Sequence, residues 1–499
     1  MINRRHFLQW SRNGALLLAA GGWSCLRSDP LASSMTTKSD PKLVQQLVDT
    51  LILTARDRLL ETLVRQIQLG LTTAELYSAL ALAGVQQVEP YPSVGFKYHT
   101  VMMLQAVFNT VIHTPNDNSW LPLLWAADTF KQAQARDTLN GDWQLSVVPK
   151  KRLPPADQAE QAFINAMDNW DAPAADAAII QCSRTMPAAQ IFEWLFAYGA
   201  RDFRDIGHKA ITVSNCHRVL NVVGWHFAEP MLRSTVYALL NHEGEANPAH
   251  SDHEADRHWR RNQDYLRQFP KHWQYGKPNK SASIELLTAL RTEHSEGAVK
   301  LTTQLLRQGV DPQSLWDALI LAAGELIMRQ SGIISVHANT SINALHYAYR
   351  SSTTDDNRGM LLLQAVSFIS QFRQLLSGKL RSLKIDDFSP VATDSHNRVQ
   401  EIFSVASDDR QLASANILHF LNQGGNPQHI MEAGRHYTIY NNTGYHDYKF
   451  TEAAFENYQN LSKHWRHRYL SASVFYLNGS KDKENPLITQ AKTFRLEQQ

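Results

Sequence analysis

Thr73-Ala74-Glu75-Leu76-Tyr77-Ser78-Ala79-Leu80-Ala81-Leu82-Ala83-Gly84 decides the fold, because versions of this phrase return three times further along the chain. The second reads Ala188-Ala189-Gln190-Ile191-Phe192-Glu193-Trp194-Leu195-Phe196-Ala197-Tyr198-Gly199. The third is Pro312-Gln313-Ser314-Leu315-Trp316-Asp317-Ala318-Leu319-Ile320-Leu321-Ala322-Ala323, and the fourth, shorter, is Pro427-Gln428-His429-Ile430-Met431-Glu432-Ala433-Gly434. Leu76, Ile191, Leu315 and Ile430 hold the matched position, separated by 115, 124 and 115 residues. A near-constant period of this kind marks a repeated architecture. Each phrase opens on a polar or proline-bearing turn, the chemistry that starts helices. Around the phrases the apolar residues recur at helical spacing, broken by short Pro, Gly, Asp and Asn turns, and alternating strand patterns are absent. The expectation is an all-α fold of four repeated multi-helix units, residues 43–150, 158–275, 283–385 and 395–480, forming one globular domain.

The segments after the phrases match as well. A loop of variable length leads to a histidine at the start of another helix: His99, His208, His337 and His446. Nine residues on stands another ring, Phe108, His217, His346 or Phe455, a column that reads as core packing. Each histidine helix then meets a turn and a further helix, beginning near Trp120, Phe227, Gly359 and Lys463; the last looks short. Histidine is costly to bury unless both ring nitrogens find partners, and helix starts disfavour a protonated imidazole. If the units close around a central cavity, four neutral imidazoles line it and make a metal site. The competing readings are a helical solenoid in which the histidines only pack, and a histidine-lined pocket for an organic ligand.

Composition narrows the chemistry. The 499 residues carry 49 basic and 47 acidic side chains, so the concentrated basic face that nucleic acid requires is not expected. There are 21 histidines and three cysteines, Cys25, Cys182 and Cys216, which excludes cysteine-rich zinc and iron–sulfur sites. H-E-x-x-H, C-x-x-C-H, the dinucleotide and phosphate-binding glycine motifs and G-x-S-x-G are all missing. Ligation by nitrogen without thiolate suits iron, copper, zinc or nickel. A histidine-only site leaves such an ion cationic, so an anionic group is expected nearby. Glu229, Asp205, or a lysine converted to a carbamate (Lys209 or Lys97) are the candidates. His226 with Glu229 forms an i, i+3 pair that places two more ligands on one helical face. Arg201-Asp202 and Arg204-Asp205 read as ion pairs holding the loop before His208. The basic stretch His250 to Arg261 reads as a solvated loop, or else a docking surface.

The first 34 residues read as a targeting segment. Asn3-Arg4-Arg5-His6-Phe7-Leu8-Gln9 resembles the twin-arginine export motif, Gly14 to Gly22 form a weakly apolar stretch, and Asp29-Pro30-Leu31-Ala32-Ser33-Ser34 looks like a cleavage neighbourhood. The resemblance implies passage of a folded chain through the twin-arginine translocase and a periplasmic or otherwise exported location.

The run Ala200-Arg201-Asp202-Phe203-Arg204-Asp205-Ile206-Gly207-His208-Lys209-Ala210-Ile211 resembles a group of uncharacterised bacterial twin-arginine-signal helical proteins. So do Gly224-Trp225-His226-Phe227-Ala228-Glu229-Pro230-Met231-Leu232-Arg233-Ser234, Asn343-Ala344-Leu345-His346-Tyr347-Ala348 and Trp120-Leu121-Pro122-Leu123-Leu124-Trp125-Ala126. Relatives in that group sometimes precede a Rieske-type domain, which implies a redox protein partner. In layout the chain is similar to the questin oxidase-like family, all-helical proteins with dispersed histidines, some described as non-haem iron oxygenases. That similarity implies a metal, Fe(II) first with zinc or copper as alternatives, on His99, His208, His337 and His446, with His226 as a further ligand. Glu229 and Lys209 would assist, and the substrate would be an aromatic or quinone-like small molecule. Phe96, Tyr98, Phe203, Trp225 and Tyr347 would suit such a ligand. The alternatives are a non-catalytic metal- or ligand-binding protein, or a helical scaffold docking a redox partner.

Overall fold

The computed structural model describes residues 40–90, 97–115, 118–240, 245–390 and 398–493. The expected leader, with Cys25, and Phe96 lie outside them. Residues 38–499 form one compact unit. The chain is all-α: among the described residues the only β-type pairing is an isolated bridge between Lys277 and Val310.

The helices repeat in groups of five. Two antecedent helices precede each phrase helix, then come a histidine helix and a closing helix. The phrase helices are Thr73–Gln87, Ala188–Ala200, Pro312–Arg329 and Pro427–Asn441. The histidine helices are His99–Met102 continued by Leu104–Ile112, then His208–Val223, Ile333–Ser351 and Tyr445–Asn460. The closing helices are Trp120–Leu139, Ala228–Leu240, Asp355–Leu375 and Lys463–Ser473, the last being the shortest. Local chemistry starts the phrases as expected. Thr72 and Glu75 form a reciprocal capping box, while Asp311 and Asn426 cap helices that begin with Pro312 and Pro427.

One packing plan serves all four groups. The second antecedent helix packs on the closing helix, the phrase helix on the histidine helix, and the histidine helix on the closing helix. Between groups, the closing helix of one packs on the phrase helix of the group before it. The chain closes on itself where Leu121 of the first closing helix joins Ile439, Tyr440, Ile488 and Ala491. Inside this shell the histidine helices touch in sequence, first to second, second to third, third to fourth and fourth to first. They make a ring of four helices that begin at the same end.

The column nine residues beyond each histidine faces outward from that ring, into the phrase helices. Phe108 packs on Tyr77, His217 on Phe192 and His346 on Trp316, with ring centroids 5.3, 4.4 and 4.8 Å apart. Tyr77, Phe192 and Trp316 each follow the matched aliphatic position of their phrase. The column is core, in agreement with the reading from sequence. A glycine helps the layers approach: a Cβ on Gly199 would stand 3.0 Å from Val213 and 3.3 Å from the Lys209 carbonyl.

The stretch 250–261 is not a solvated loop. It leads into a helix, Glu254–Leu266, packed on Asp355–Leu375, with Asp256, His258 and Asn262 buried. Its alternating charges gave the solvated impression, but Asp256 turns inward to meet Arg204 at 2.7 Å.

Candidate metal centre

The four repeated histidines converge. Nε2 of His99 lies 3.1 Å from Nε2 of His446 and 3.3 Å from that of His208, and Nε2 of His208 lies 2.8 Å from that of His337. Around the ring, neighbouring imidazole centroids stand 5.0, 4.4, 5.0 and 4.7 Å apart, and the His99–His337 diagonal measures 6.3 Å. His99, His337 and His446 each offer a nitrogen within 4.8 Å of the others. That grouping omits His208, whose short contacts to His99 and His337 nonetheless place it in the same cluster. His99, His208 and His337 are buried, while His446 is partly exposed.

The outer nitrogens fix two tautomers. Nδ1–H of His208 donates to the Asp205 carbonyl at 2.6 Å, and Nδ1–H of His337 donates to the Ile333 carbonyl at 2.6 Å. A backbone carbonyl accepts but never donates, so both rings carry their proton on Nδ1 and present a bare lone pair at Nε2. Those two lone pairs face each other at 2.8 Å. Protonating one Nε2 would create a buried imidazolium, which burial and the neighbouring positive groups oppose more strongly than the carbonyl bonds at Nδ1 favour it. Burial and the like charge of Lys449 hold His337 down to about 3 and His446 down to about 2, and burial first, then neighbouring positive groups, holds His99 and His208 well below the ordinary range. The histidine-helix N-termini add positive potential from the same end.

The loop before His208 is strained to reach this geometry. Asp205, Ile206 and Gly207 all have positive φ (55°, 49° and 82°), and only glycine adopts such angles freely. A Cβ at Gly207 would lie 2.2 Å from the Ser341 hydroxyl on the His337 helix. The turn therefore presses against the next helix of the ring while its Asp205 carbonyl holds the His208 ring. Ion pairs brace it, though the partners lie outside the two dipeptides. Asp202 takes Lys209 at 2.9 Å, and Arg204 takes Asp256.

One residue that the sequence reading passed over stands beside the cluster. Lys449 is 4% exposed, its Nζ has no hydrogen-bond partner, and burial draws its amine down to about 7. It lies one helical turn beyond His446. Met102, Ile211 and Thr340 hold the same place, three residues after their histidines, and all four line one small cavity on the ring's axis. Aligning the four copies at that offset is the signal that would have exposed Lys449 as the lone charged residue of its layer. The nearest carboxylates on its helix are committed elsewhere. Glu452 pairs with Arg435 at 2.8 and 3.0 Å and accepts from Thr110, and Glu456 pairs with Arg218 at 2.7 Å.

The remaining sequence candidates sit apart from the cluster. Lys209 is fully buried against Asp202 and the face of Trp170, a structural pair. Lys97 is held by Asp137 and Glu89 at 2.7 and 2.9 Å. Glu229 makes a surface pair with Arg184. His226 is exposed and packs on its neighbour Phe227. His226, Glu229 and Lys209 are therefore corrected as ligand-sphere residues: pairing by sequence proximity ignored that their helical faces point away from the ring. Among the aromatic residues, Tyr98 bonds Ser234 in the core, Phe203 packs on Phe368 and Phe372, Trp225 donates to the Ser183 carbonyl, and Tyr347 covers Arg218. The ring that does meet the cluster is Tyr445, stacked on His99 at 4.1 Å. Cys182 and Cys216 are free and buried.

Tyr445 and His446 also border a basin of about 590 Å³, lined further by Trp125, Arg56, Arg136 and Gln490. That volume suits a small organic molecule. No described helix is long and apolar enough to cross a membrane. No family model, curated protein or solved structure matches the chain.

Proposed function

We propose that His99, His208, His337 and His446 hold one divalent transition metal, Fe(II) first and zinc or copper as alternatives, and that the protein is an oxidoreductase acting on an aromatic or quinone-like small molecule. The observation that carries the metal reading is the pair of Nε2 lone pairs facing at 2.8 Å, each with its Nδ1 proton committed to a backbone carbonyl. Two lone pairs at that distance repel unless a cation lies between them. Imidazole nitrogens about 2.1 Å from a shared ion stand about 3.0 Å apart at right angles and about 3.4 Å apart in a tetrahedron. The observed 3.1 and 3.3 Å fall within that interval, and 2.8 Å lies just below it.

Lys449 is proposed to supply the anionic group that four neutral imidazoles lack. Burial draws its unpartnered amine to about 7, so the neutral fraction can add through nitrogen to the carbon of carbon dioxide, forming an N–C bond as one C=O π bond opens and releasing one proton, with no redox change. The resulting carbamate replaces a buried cation by an anion. That reverses the charge facing a divalent ion and the positive ends of the histidine helices. Asp205, the other candidate, offers the cluster its carbonyl through His208.

A ferrous ion held by these four histidines would supply oxygen and one-electron chemistry. Around it the chain's own groups hold and orient. Carbonyls of Asp205 and Ile333 fix two ligand tautomers, Tyr445 covers His99, and the partly exposed His446 turns the cluster toward the basin. The resemblance in layout to the questin oxidase-like family favours the same chemistry. The N-terminal Arg4-Arg5 pair supports export through the twin-arginine route to the periplasm, which suits a protein that takes up its metal while folding.

The test is elemental analysis of the full chain purified without chelators or a histidine tag. About one iron per chain, lost in folded His208→Ala and His337→Ala variants, supports the oxidoreductase. Zinc or copper at that stoichiometry keeps the site and redirects the chemistry toward binding or hydrolysis. No metal in the parent protein, with the variants unaltered, refutes the site and leaves a helical scaffold.

A further inference from the structure

The cavity beneath the histidines is built differently from the basin above them. It lies between the four histidine helices, on their C-terminal side, and its walls come in layers. Ala106, Asn215, Ala344 and Ala453, seven residues beyond their histidines, succeed the layer that contains Lys449. Asn109, Arg218 and Glu456, ten residues beyond theirs, form the next. It holds about 30 Å³. That is room for a water molecule, which needs roughly 10–15 Å³, and far below the size of an organic ligand site. Two polar atoms on its wall, Lys449 Nζ and Gln105 Oε1, have no protein partner. One donates and the other accepts, as a chain of water requires.

At the far end the wall is closed by an ion pair. Arg218 donates to both Glu456 oxygens at 2.7 and 2.9 Å and to Asn343 at 3.2 Å, with Tyr347 over its guanidinium at 4.0 Å. Asn343 in turn donates to Glu456 at 3.0 Å. The pair bridges the second, third and fourth helices of the ring. The Arg218 side chain is 9% exposed and that of Glu456 32%, so the pair stands between the cavity and solvent. A hydrophobic plug would seal such an end permanently, whereas Glu456, a third exposed, can turn toward solvent while Arg218 keeps its bonds to Asn215 and Asn343.

We infer that the axial cavity is a second entrance to the histidine cluster, carrying water and solutes of a few atoms to Lys449 from the end opposite the basin, with the Arg218–Glu456 pair as its gate. Its purpose rests on the proposed carbamate. Carbon dioxide reaches the lysine, and the released proton leaves, without crossing a basin filled by substrate. The route itself depends on neither metal nor carbamate, so accessibility in metal-free protein tests it separately.

The probe is Ala453→Cys in the cavity wall, treated with methyl methanethiosulfonate and read by mass spectrometry of its peptide, so that Cys182 and Cys216 do not contribute. Adding Arg218→Ala, or the same-sized Glu456→Gln, is expected to raise the labelling rate at least tenfold. Thr129→Trp, which narrows the basin, is expected to leave it unchanged. A bulky benzyl thiosulfonate should gain less than the methyl reagent. Labelling indifferent to both gate substitutions, or slowed by Thr129→Trp, overturns the inference. Should Arg218→Ala not fold, Glu456→Gln alone decides.

Discussion

Replacing Lys449 with methionine should strengthen the metal-free protein and weaken the metal-bound one. Methionine keeps the length and volume of the side chain and removes the amine. In the unfolded chain the lysine titrates at its ordinary value of 10.5, while in the folded, metal-free protein burial draws it to about 7. A lowered folded value means that the unfolded state binds the extra proton between those limits, so the lysine destabilises the fold increasingly as pH falls from 10.5 toward 7 and by a constant amount below. The difference of 3.5 units sets a ceiling of about 5 kcal/mol, at 1.36 kcal/mol per unit. Working the same linkage at two pH values, Lys449→Met should exceed the parent by about 4–5 kcal/mol near pH 6.5 and by only about 1–2 kcal/mol near pH 9.5. Urea denaturation of both proteins in chelator-treated, carbon-dioxide-free buffer measures the gap. Titrating metal into each then reads the opposite sign, with the variant binding at least tenfold more weakly for want of its anionic group. A parent as stable as the variant at pH 6.5, or a gap that does not shrink as pH rises, refutes a buried, unpartnered lysine at this place.

The histidines give a pH dependence of their own. His337 and His346, held at about 3 mainly by burial, and His217, held at about 4, all sit below the unfolded value of 6.5. Stability is therefore lost as pH falls below 6.5, each such ring costing about 2 kcal/mol by pH 5; metal-free protein should show it in denaturation curves at pH 7 and pH 5. Gly207→Ala sets a Cβ against Ser341 at positive φ, and should cost about 2 kcal/mol or more and loosen metal binding through His208. Arg435→Met leaves the buried Glu452 carboxylate without its cation and should cost about 3–5 kcal/mol, read by the same denaturation. Changing Arg4 and Arg5 together to lysine should hold the protein in the cytoplasm; unchanged export in a strain lacking the twin-arginine translocase would refute that route.

Much of the fold could be read from the chain because repetition multiplies weak signals. A single stretch of leucines and alanines could belong to any helix. Four stretches aligned on Leu76, Ile191, Leu315 and Ile430, each leading to a histidine, fix a common unit. The same alignment held the core column, since His217 and His346 share their places with Phe108 and Phe455 and pack on the phrase helices as phenylalanine does. Proximity in sequence misled where alignment was not used. Lys209 comes directly after His208, and a helix turns adjacent side chains about 100° apart, so Lys209 points outward to Asp202 while the residue three beyond the histidine points along the axis. Asp256 and His258 looked solvated because their partners, Arg204 and Ser295, lie far away in the chain and carry no local signature.

The ring also shows why four copies in one chain differ in what they can achieve from four identical subunits. Identical helices would put the same residue in every layer, so a lysine three residues beyond one histidine would come with three more, and four buried amines would repel. Fusion lets one copy carry Lys449 while the others offer Met102, Ile211 and Thr340 at the same level. It likewise allows the next layers to set Arg218 on one helix against Glu456 on another, a pairing that identical copies would crowd with like charges. The repeated histidine supplies what symmetry does well, convergence of equal ligands on a point. The unrepeated residues supply direction: a lone lysine on one side, a basin on one face and an ion-paired cavity on the other. Changing Ile211 or Thr340 to lysine tests that division. Either substitution leaves the four histidines in place, yet a second buried amine would enter the Lys449 layer, across the axis from position 211 or on the neighbouring helix from position 340, and loss of metal with the helices intact is the expected result.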